Sequence, residues 1–441
     1  MKTYLRAAVM SALFPLAGCG GDGPTPAPSD AAVVLDVSTG DTDAVLADSL
    51  LPSDVRDTGA DTFQLPPIQS WLLLTPNEGF GTIAVQPALA WDGAGRLAVV
   101  WTGRVGDVSG IMGGLFEMAR TPVAVTGPDM LTSIETGLRN EPRLCNLAPS
   151  DGPNAGFIGV WSADLQNGGT NNLGIYTRRF DADLSPTTST ESLVETGREG
   201  NHWLASLACA SNGGFVVGGV RAGTGAGFEA FAQRYDGGGL ISGEPLVGLE
   251  RELGGQLFPA VATDADDVWL AWEDTPTAEA ESGIMVRRFG AAGVAANAVA
   301  LDDIFARPAG GPVVAASGGS VLIAANGATG MRLAWSQKGE GFKNVTLPVV
   351  DSSAAGAAIA AIGPGRYAVV WTRSAAGTNR DLRFGIVADG VLVDAPITLA
   401  NGKFTAAYRP AIVVRDGRLA IAFTESVGAG AYNVRVALAS L

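Results

Sequence analysis

The chain has 441 residues, of which 47% are hydrophobic and only 17% are charged, and its formal net charge is −15. A chain this apolar can bury a large core, and its acidic excess argues against nucleic acid as a partner, because nucleic-acid binding needs a basic surface. Glycine contributes 60 residues, about twice its usual share of roughly 7%, which favours many tight turns between short strands.

The N-terminal segment is typical of an export signal. Lys2 and Arg6 flank the start of an apolar run, residues 7–16, which is too short to span a bilayer. Residues 16–19 read Leu-Ala-Gly-Cys and resemble the lipobox of bacterial lipoproteins. The resemblance implies removal of residues 1–18 and a diacylglycerol on the thiol of Cys19. Gly20 replaces the aspartate that favours inner-membrane retention, so we expect an outer-membrane lipid anchor; the alternative is an ordinary signal peptide with an accidental cysteine.

An acidic segment follows at residues 19–67. It is rich in Asp, Pro, Ser, Thr and Ala, and its nine aspartates face a single basic residue, Arg56. Low aromatic content and like charge predict a disordered tether that holds a domain away from the membrane. A calcium-binding loop is not indicated, since no Asp-rich loop with a following glutamate is present.

One sequence unit then recurs along the chain. A proline or small residue opens a short apolar strand, a Gly-rich turn follows, and a second, β-branched strand ends in an aromatic residue, as in Pro87–Trp101 and Pro259–Trp272. Aligned by that final position, the copies end at Trp101, Trp161, Gly219, Trp272, Ala325, Trp371 and Phe423. Recurrence at roughly fifty residues is typical of a propeller or a similar repeat array.

The residues between the copies supply further strands. Gly174–Phe180 and Gly283–Phe289 are nearly identical third strands, and a short fourth strand follows a turn. Four strands per repeat predict an all-β fold, a seven-bladed β-propeller of four-stranded blades over residues 68–441. The last copy lacks a fourth strand, so we expect the N-terminal strand at Trp71–Thr75 to close the ring. An open β-solenoid and two sandwiches are the alternatives.

The repeats have a recognisable form, Pro-x-x-Ala, then Asp-Gly-x-x-x-Val-Val-Trp, then Gly-Ile-Tyr-x-Arg-Arg-Phe-Asp. Over most of residues 70–441 this form resembles repeats of secreted and surface-anchored bacterial proteins. The resemblance implies a propeller in the cell envelope. It transfers no catalytic residues.

Candidate functional residues lie where the second strand of a copy ends. Asp164, Glu273, Asp274 and Arg373 all come shortly after the final aromatic position of their copies. Loops and strand ends on a rigid scaffold are where proteins place binding residues, so these four predict a binding face. Further acidic residues scattered along the chain are Glu117, Glu141 and Glu425.

The sequence indicates no metal site and no cofactor. Its single histidine, His202, cannot supply a ligand cluster, and no nucleophile elbow is present. The repeated boxes of sialidase-type, integrin-like and WD-repeat propellers are also missing from the sequence. We therefore favour a non-enzymatic module that binds or scaffolds an unknown protein or glycan ligand. The alternative is a hydrolase or lyase that acts on extracellular polysaccharide through a carboxylate pair.

Two cysteines remain once Cys19 is assigned to the anchor. Cys145 and Cys209 align at equivalent positions on the first strands of neighbouring copies, in a compartment that would be oxidising. Equivalent positions in adjacent blades lie near the roughly 7 Å Cα limit for a disulfide. A disulfide and two buried thiols therefore both stay open.

Two arginine pairs stand in the third strands. Arg178-Arg179 and Arg287-Arg288 alternate across their strands, so one member of each pair should face between blades or outward. We expect structural salt bridges there, beside Asp181 and similar acids.

Overall fold

Regular structure in the described part of the chain consists of β-strands alone. The computed structural model describes residues 70–441 except for short segments at 75–82, 106–107, 119–122, 133–137, 148–155, 165–172, 195–200, 224–226, 250–253, 278–279, 329, 348–355, 375–379, 401–408 and 429–430. The predicted signal peptide at 1–18, Cys19 and the acidic tether at 19–67 lie outside the described residues. Over the described segments, no helix has the length and hydrophobicity that a membrane crossing requires.

The strands include the short β-branched runs that the repeats predict, and several extend beyond them: β2, for example, begins at Ile83, before the opening Pro87. The first nine are β1 (Ser70–Leu74), β2 (Ile83–Trp91), β3 (Arg96–Val105), β4 (Val108–Glu117), β5 (Val123–Met130), β6 (Leu138–Asn146), β7 (Phe157–Asp164), β8 (Leu173–Phe180) and β9 (Ser192–Leu193). The middle of the chain forms β10 (Trp203–Cys209), β11 (Phe215–Ala222), β12 (Phe228–Tyr235), β13 (Leu246–Val247), β14 (Gly255–Asp264), β15 (Asp267–Thr275), β16 (Gly283–Phe289), β17 (Val299–Ala300), β18 (Gly310–Ser317), β19 (Ser320–Gly327), β20 (Gly330–Gln337) and β21 (Lys343–Val345). The last strands are β22 (Ala357–Gly363), β23 (Arg366–Ser374), β24 (Arg380–Ala388), β25 (Val391–Leu392), β26 (Ile397–Ala400), β27 (Ala411–Arg415), β28 (Arg418–Gly428) and β29 (Ala431–Ser440).

Hydrogen bonds connect the described strands into five sheets. Two sheets have eight strands, in the orders β27-β28-β29-β2-β3-β4-β5, with β1 on β29, and β10-β11-β12-β14-β15-β16-β17, with β13 on β12. The others are β6-β7-β8-β9, β18-β19-β20-β21 and a five-stranded sheet, β22-β23-β24-β25 with β26 on β24. We call each set of consecutive antiparallel strands that starts with the first strand of one repeat a group.

The fold is an all-β propeller, but the prediction of seven four-stranded blades is wrong, because the groups do not form seven separate sheets. A single parallel residue pair joins two groups in each large sheet: Ile83 pairs with Tyr432, and Phe228 pairs with Gly255. These junctions form because β2 and β14 begin several residues before the prolines that open their repeats. Their first residues therefore reach the third strand of the preceding group. No sequence signal marks such one-residue junctions.

The first strands of the groups pack side by side in a closed ring. The order is β2, β6, β10, β14, β18, β22, β27 and back to β2. The strand expected at Trp71–Thr75 is β1, and it pairs antiparallel with β29, from Ser70 opposite Leu438 to Leu74 opposite Val434. Both ends of the described chain therefore belong to one sheet, in which the N-terminal strand β1 pairs with β29.

The aromatic residues that end the repeats fill the space between groups. Trp161 and Trp272 are fully buried, and Trp371 and Phe423 are nearly so. Trp161 packs in one cluster with Val100 of the preceding group. Because burial of a large apolar side chain stabilises a fold by about 1.5–3 kcal/mol, these contacts explain why the repeats keep a bulky residue at this position.

The arginine pairs join neighbouring groups mainly through backbone carbonyls. Arg178 donates from Nη1 to the carbonyl oxygen of Leu131 in the preceding group, at 2.6 Å. Its neighbour Arg179 donates to the carbonyl oxygen of Gly237 in the following group, also at 2.6 Å. Alternation along β8 sends the two side chains in opposite directions, so one dipeptide holds three groups together. Arg287 donates in the corresponding way to the carbonyl oxygens of Val247 and Gly248 in the preceding group.

Cys145 and Cys209 form a disulfide, with their Cα atoms 6.0 Å apart. The strand register corrects their predicted equivalence. Asn146 lies opposite Phe157, whereas Cys209 lies opposite Phe215, so Asn146 is the true counterpart of Cys209 and Cys145 stands one residue earlier. Because side chains alternate along a strand, this offset turns both thiols into the same core between the two groups.

Removing this disulfide should destabilise the propeller. The bridged residues are 64 positions apart, and a cross-link over a loop of this size typically contributes about 2–4 kcal/mol, mostly by restricting the unfolded chain. Urea unfolding should show that loss in the Cys145→Ala/Cys209→Ala variant and in the wild type with dithiothreitol. The double variant should not respond to reductant, and an unchanged free energy of unfolding would contradict the assignment.

Candidate functional site

A repeated β-bulge shapes one end of the ring of first strands. In β2, β6, β10, β14 and β18 the register shifts by one residue beside the residue that opens the repeat. The bulged residues have positive φ angles: Gln86 (55°), Glu141 (57°), Leu204 (59°), Phe258 (49°) and Gly311 (63°). By register, Gly356 and Arg409 occupy the same position before β22 and β27. A bulge re-aims the side chain it carries, and we call these positions the bulge ring.

Side-chain oxygens from neighbouring groups accept the backbone N–H groups at these bulges. Gln86 donates its N–H to Oγ1 of Thr424, at 3.3 Å, and Glu141 donates to Oε1 of Gln86, at 3.0 Å. Gly311 donates to Oε2 of Glu273, at 3.3 Å. Thr424 and Glu273 hold the same place in their repeats, directly after the final aromatic residue. The acceptor between neighbouring groups is therefore the carboxyl group of Glu273 at one contact and the hydroxyl group of Thr424 at another.

Burial changes the acidity of Glu273. The carboxyl group is half-buried, and burial raises the pKa of Glu273 above its ordinary value of 4.5. Hydrogen bonds from the Gly311 N–H and from Ser282, together with the charge of Arg409, oppose this rise without cancelling it. A neutral carboxylic acid thus persists at this end of the ring to a higher pH than an exposed glutamate would allow.

Two glycines of the bulge ring leave space for Arg409. A Cβ atom on Gly311 would lie 2.7 Å from Nη2 of Arg409, and one on Gly356 would lie 3.2 Å from its Cγ. The guanidinium reaches past them to the ring of Phe258, 5.8 Å from the ring centroid, and donates from Nη1 to the carbonyl oxygen of Pro312 at 3.5 Å. A side chain at either glycine would displace the arginine.

A second arginine and a second carboxylate complete this arrangement. Burial and the charge of Arg143 lower the pKa of Arg409, while the carboxylates of Glu141 and Glu273 oppose that change. Burial likewise lowers the pKa of Arg143, opposed by Glu141. Both guanidinium groups stay protonated, because their ordinary pKa lies far above neutrality. We call Glu141, Arg143, Glu273 and Arg409 the ring-end cluster.

The four residues predicted from the sequence to form a binding face do not all lie together in the structure. Glu273 belongs to the ring-end cluster, whereas Asp274 points to the opposite face of β15, is buried, and accepts a hydrogen bond from Nε1 of Trp272 at 3.4 Å. Asp164 ends β7, with its side chain outside the described residues. Arg373 lies on β23, opposite Asp381 in the register.

The histidine takes a structural position. His202 is buried, and its backbone N–H donates to the carbonyl oxygen of Leu173 at 2.8 Å. Across the described segments, no three His, Cys, Asp or Glu side chains come together in a way that could hold a metal ion.

A sequence signal for the cluster lies beside the proline that opens a repeat. Glu141 and Arg409 directly precede such prolines, and Arg143 directly follows one. The final aromatic residue of a repeat gives no indication of these positions. The residue before the opening proline is the one that occupies the bulge ring.

No protein-family model and no curated protein sequence matches the chain. Similar solved structures include a protein of unknown function from Dyadobacter fermentans, with 11% identity, a TM-score of 0.47 and coverage of 84% of this chain and 98% of that chain. Penicillium chrysogenum α-L-arabinanase complexed with arabinobiose has 12% identity, a TM-score of 0.47 and coverage of 74% and 98%. A Fusarium graminearum α-L-arabinofuranosidase with arabinobiose has 12% identity, a TM-score of 0.46 and coverage of 83% and 96%. These values leave the substrate of this chain open.

The prediction of a non-enzymatic binding or scaffolding module is corrected at this point. That prediction depended on the lack of converging carboxylates in the sequence, and the ring-end cluster brings Glu141 and Glu273 to the same arginine. The enzymatic alternative is therefore the one that the structure favours.

Replacing Gly311 with alanine should disturb the position of Arg409. Gly311→Ala and Gly339→Ala both put a side chain at a positive φ, which costs about 1–2 kcal/mol, but a Cβ on Gly339 would meet no atom within 4 Å. Urea unfolding should show that Gly311→Ala costs up to ~1 kcal/mol more than this control, because the Arg409 guanidinium must move away from its contact with Pro312. Adding Arg409→Ala should remove the excess; equal costs for the two glycine variants would contradict the close approach.

Proposed function

We propose that the propeller is a carbohydrate-active hydrolase that cleaves a glycosidic bond at the ring-end cluster. The observation that carries this proposal is Glu273, a half-buried carboxyl group with a raised pKa that shares Arg409 with a second carboxylate, Glu141. The hydrogen bond that Glu273 accepts from the next group does not by itself need a carboxyl group, because the hydroxyl group of Thr424 accepts the equivalent hydrogen bond. The carboxyl at this joint therefore supports a chemical role.

Glycosidic hydrolysis needs one carboxylic acid and one carboxylate on either side of the scissile bond. Glu273, whose pKa is raised by burial, donates a proton to the leaving oxygen of the glycoside. Glu141, whose charge acts on Arg143 and Arg409, is the second carboxyl group and assists the attack of water on the sugar carbon. The two carboxyl groups lie in different surroundings and therefore take different roles.

Replacing Glu273 should remove the acid and leave the fold intact. The purified full chain would be tested for release of reducing sugar from a polysaccharide panel that includes arabinan. On a cleaved polymer, Glu273→Gln should lower kcat by roughly 10²- to 10⁴-fold, the usual contribution of a general acid. The matched control is Glu340→Gln, which removes an exposed carboxylate paired only with Lys343 at 2.8 Å among the described contacts and should leave kcat unchanged.

The pH profile and the leaving group test the same assignment. Because burial raises the pKa of Glu273, its protonated, active form should be lost only as the pH rises through that raised value, so the alkaline limb of kcat should lie above pH 4.5. Dinitrophenyl glycosides need no acid, so Glu273→Gln should regain most of its activity on them. Equal loss on both kinds of substrate, or no cleavage of any polymer, would overturn the proposal.

We also propose that the chain is a lipoprotein of the bacterial cell envelope, anchored through Cys19 in the outer membrane. The charged residues before the apolar run at 7–16, the lipobox at 16–19 and Gly20 support this location. The resemblance of the repeats to those of surface-anchored bacterial proteins supports it as well. The acidic segment up to residue 67 would then act as the spacer between membrane and propeller.

Cys19→Ala should abolish lipidation. Cells that express the full chain would be grown with labelled palmitate, and the label on the purified protein would be measured. The wild type and a Cys145→Ala control should incorporate label, because only Cys19 lies in the lipobox. Label that persists on the Cys19→Ala variant would show that the anchor is wrongly assigned.

A further inference from the structure

We propose that the ring-end cluster binds a sugar that carries a carboxylate, a uronic acid residue of an acidic polysaccharide, and that Arg143 and Arg409 hold this carboxylate. The inference rests on the proposed hydrolase function, to which it adds the class of substrate. It is argued from the hydrogen bonds that these two arginines make and from the charges around them.

The two guanidinium groups use few of their donors. Among the described residues, Arg143 makes one hydrogen bond, from Nη1 to the carbonyl oxygen of Pro142 at 3.0 Å. Arg409 likewise makes one, the 3.5 Å bond to Pro312. A guanidinium has five N–H donors in a planar fork, so most donors of both groups remain for another acceptor.

Two arginines that join neighbouring groups use more of their donors. Arg178 donates to the carbonyl oxygens of Leu131 and Thr188 through three of its nitrogen atoms. Arg234 binds a set of backbone carbonyls of the following group in the same way. Among the described contacts, these two arginines thus use more donors on the protein itself than Arg143 and Arg409 do. The difference leaves donors of the two cluster arginines for a ligand.

The charges of the cluster also favour an anion. The cluster contains two positive guanidinium groups, and a proton on Glu273 removes one of the negative charges that would offset them. Arg143 and Arg409 lie close enough to repel each other, and both are half-buried, where repulsion is screened less than at the surface. A carboxylate between them would relieve the repulsion and accept paired hydrogen bonds from the planar forks, which fit a carboxylate well.

The neighbouring surface suits a sugar ring. Phe258 lies beside the Arg409 guanidinium and offers a half-buried apolar face, and Leu204 is the bulge-ring residue between Glu141 and Phe258. Binding sites that combine apolar walls with a few placed polar groups are typical for small ligands. An apolar wall next to two guanidinium groups matches a sugar with a single acidic substituent better than an inorganic ion.

Binding would be measured by isothermal titration calorimetry on the full-chain Glu273→Gln variant, so that turnover does not interfere. The probes are tetrasaccharides from pectate, alginate and hyaluronan, each with its carboxyl-reduced neutral counterpart. At least one acidic tetrasaccharide should bind tenfold or more tightly than its neutral counterpart. This comparison needs no arginine variant, so it stands even where such a variant fails to fold.

Arginine variants then assign the effect. Arg409→Gln and Arg143→Gln should each weaken binding of the acidic probe about 10- to 100-fold, the range expected for a lost charge-assisted hydrogen bond. Neither should change binding of the neutral probe. Arg409→Lys should recover only part of the affinity, because an ammonium lacks the planar fork. Arg415→Gln, at the end of β27 beside the exposed Asp416, is the control that should bind like the parent.

Each outcome decides the inference. Equal affinity for acidic and reduced probes, no binding of any acidic probe, or equal binding of a sulfated neutral tetrasaccharide would overturn it. Selective binding that is lost in Arg409→Gln would support it. If such binding occurs and the wild type cleaves none of these polymers, the carboxylate site stands and the hydrolase proposal fails.

Discussion

At three positions of the bulge ring a side-chain oxygen accepts the backbone N–H that the bulge leaves without a strand partner, and these hydrogen bonds help to join the groups of the propeller. A buried N–H without an acceptor is costly, so the neighbouring group must present a side-chain oxygen at the right place. Thr424 does so for Gln86 across the closure of the ring, between residues 338 positions apart. Gln86 in turn accepts the N–H of Glu141. The groups are thus joined by polar contacts at the ring as well as by aromatic packing farther out.

The same constraint gives the proposed site its acid. Glu273 accepts the N–H of Gly311, which fixes the carboxyl group on a rigid strand. Because the folded-state pKa of Glu273 is raised, its contribution to folding is fully present in the protonated form and declines as the pH rises through that raised value. A threonine in place of Glu273 would not titrate and would give no such pH dependence. The fold therefore gives up some stability at neutral pH where it places a group suited to proton transfer.

Repeat spacing was enough to predict an all-β propeller and the N-terminal strand that pairs with β29. It could not predict which groups share a sheet, because a single pair such as Phe228 with Gly255 joins them. The disulfide shows the same limit, because the repeat spacing predicts equivalent positions for Cys145 and Cys209 whereas the strand register offsets them by one residue, which decides the direction of a side chain. The ring-end cluster assembles residues from three distant repeats. Only the bulge geometry shows that residues before a proline, such as Arg409, converge.

The pairing of β1 with β29 has a consequence for biogenesis. β1 is made before the strands that follow it, whereas its partner β29, at Ala431–Ser440, is made much later. Until β29 has been made, β1 lacks this partner, and unpaired edge strands pair readily with other chains. Two molecules that meet at this stage can exchange their β1 strands and form a swapped dimer with no new interface. Conditions that keep nascent chains apart would therefore disfavour this exchange.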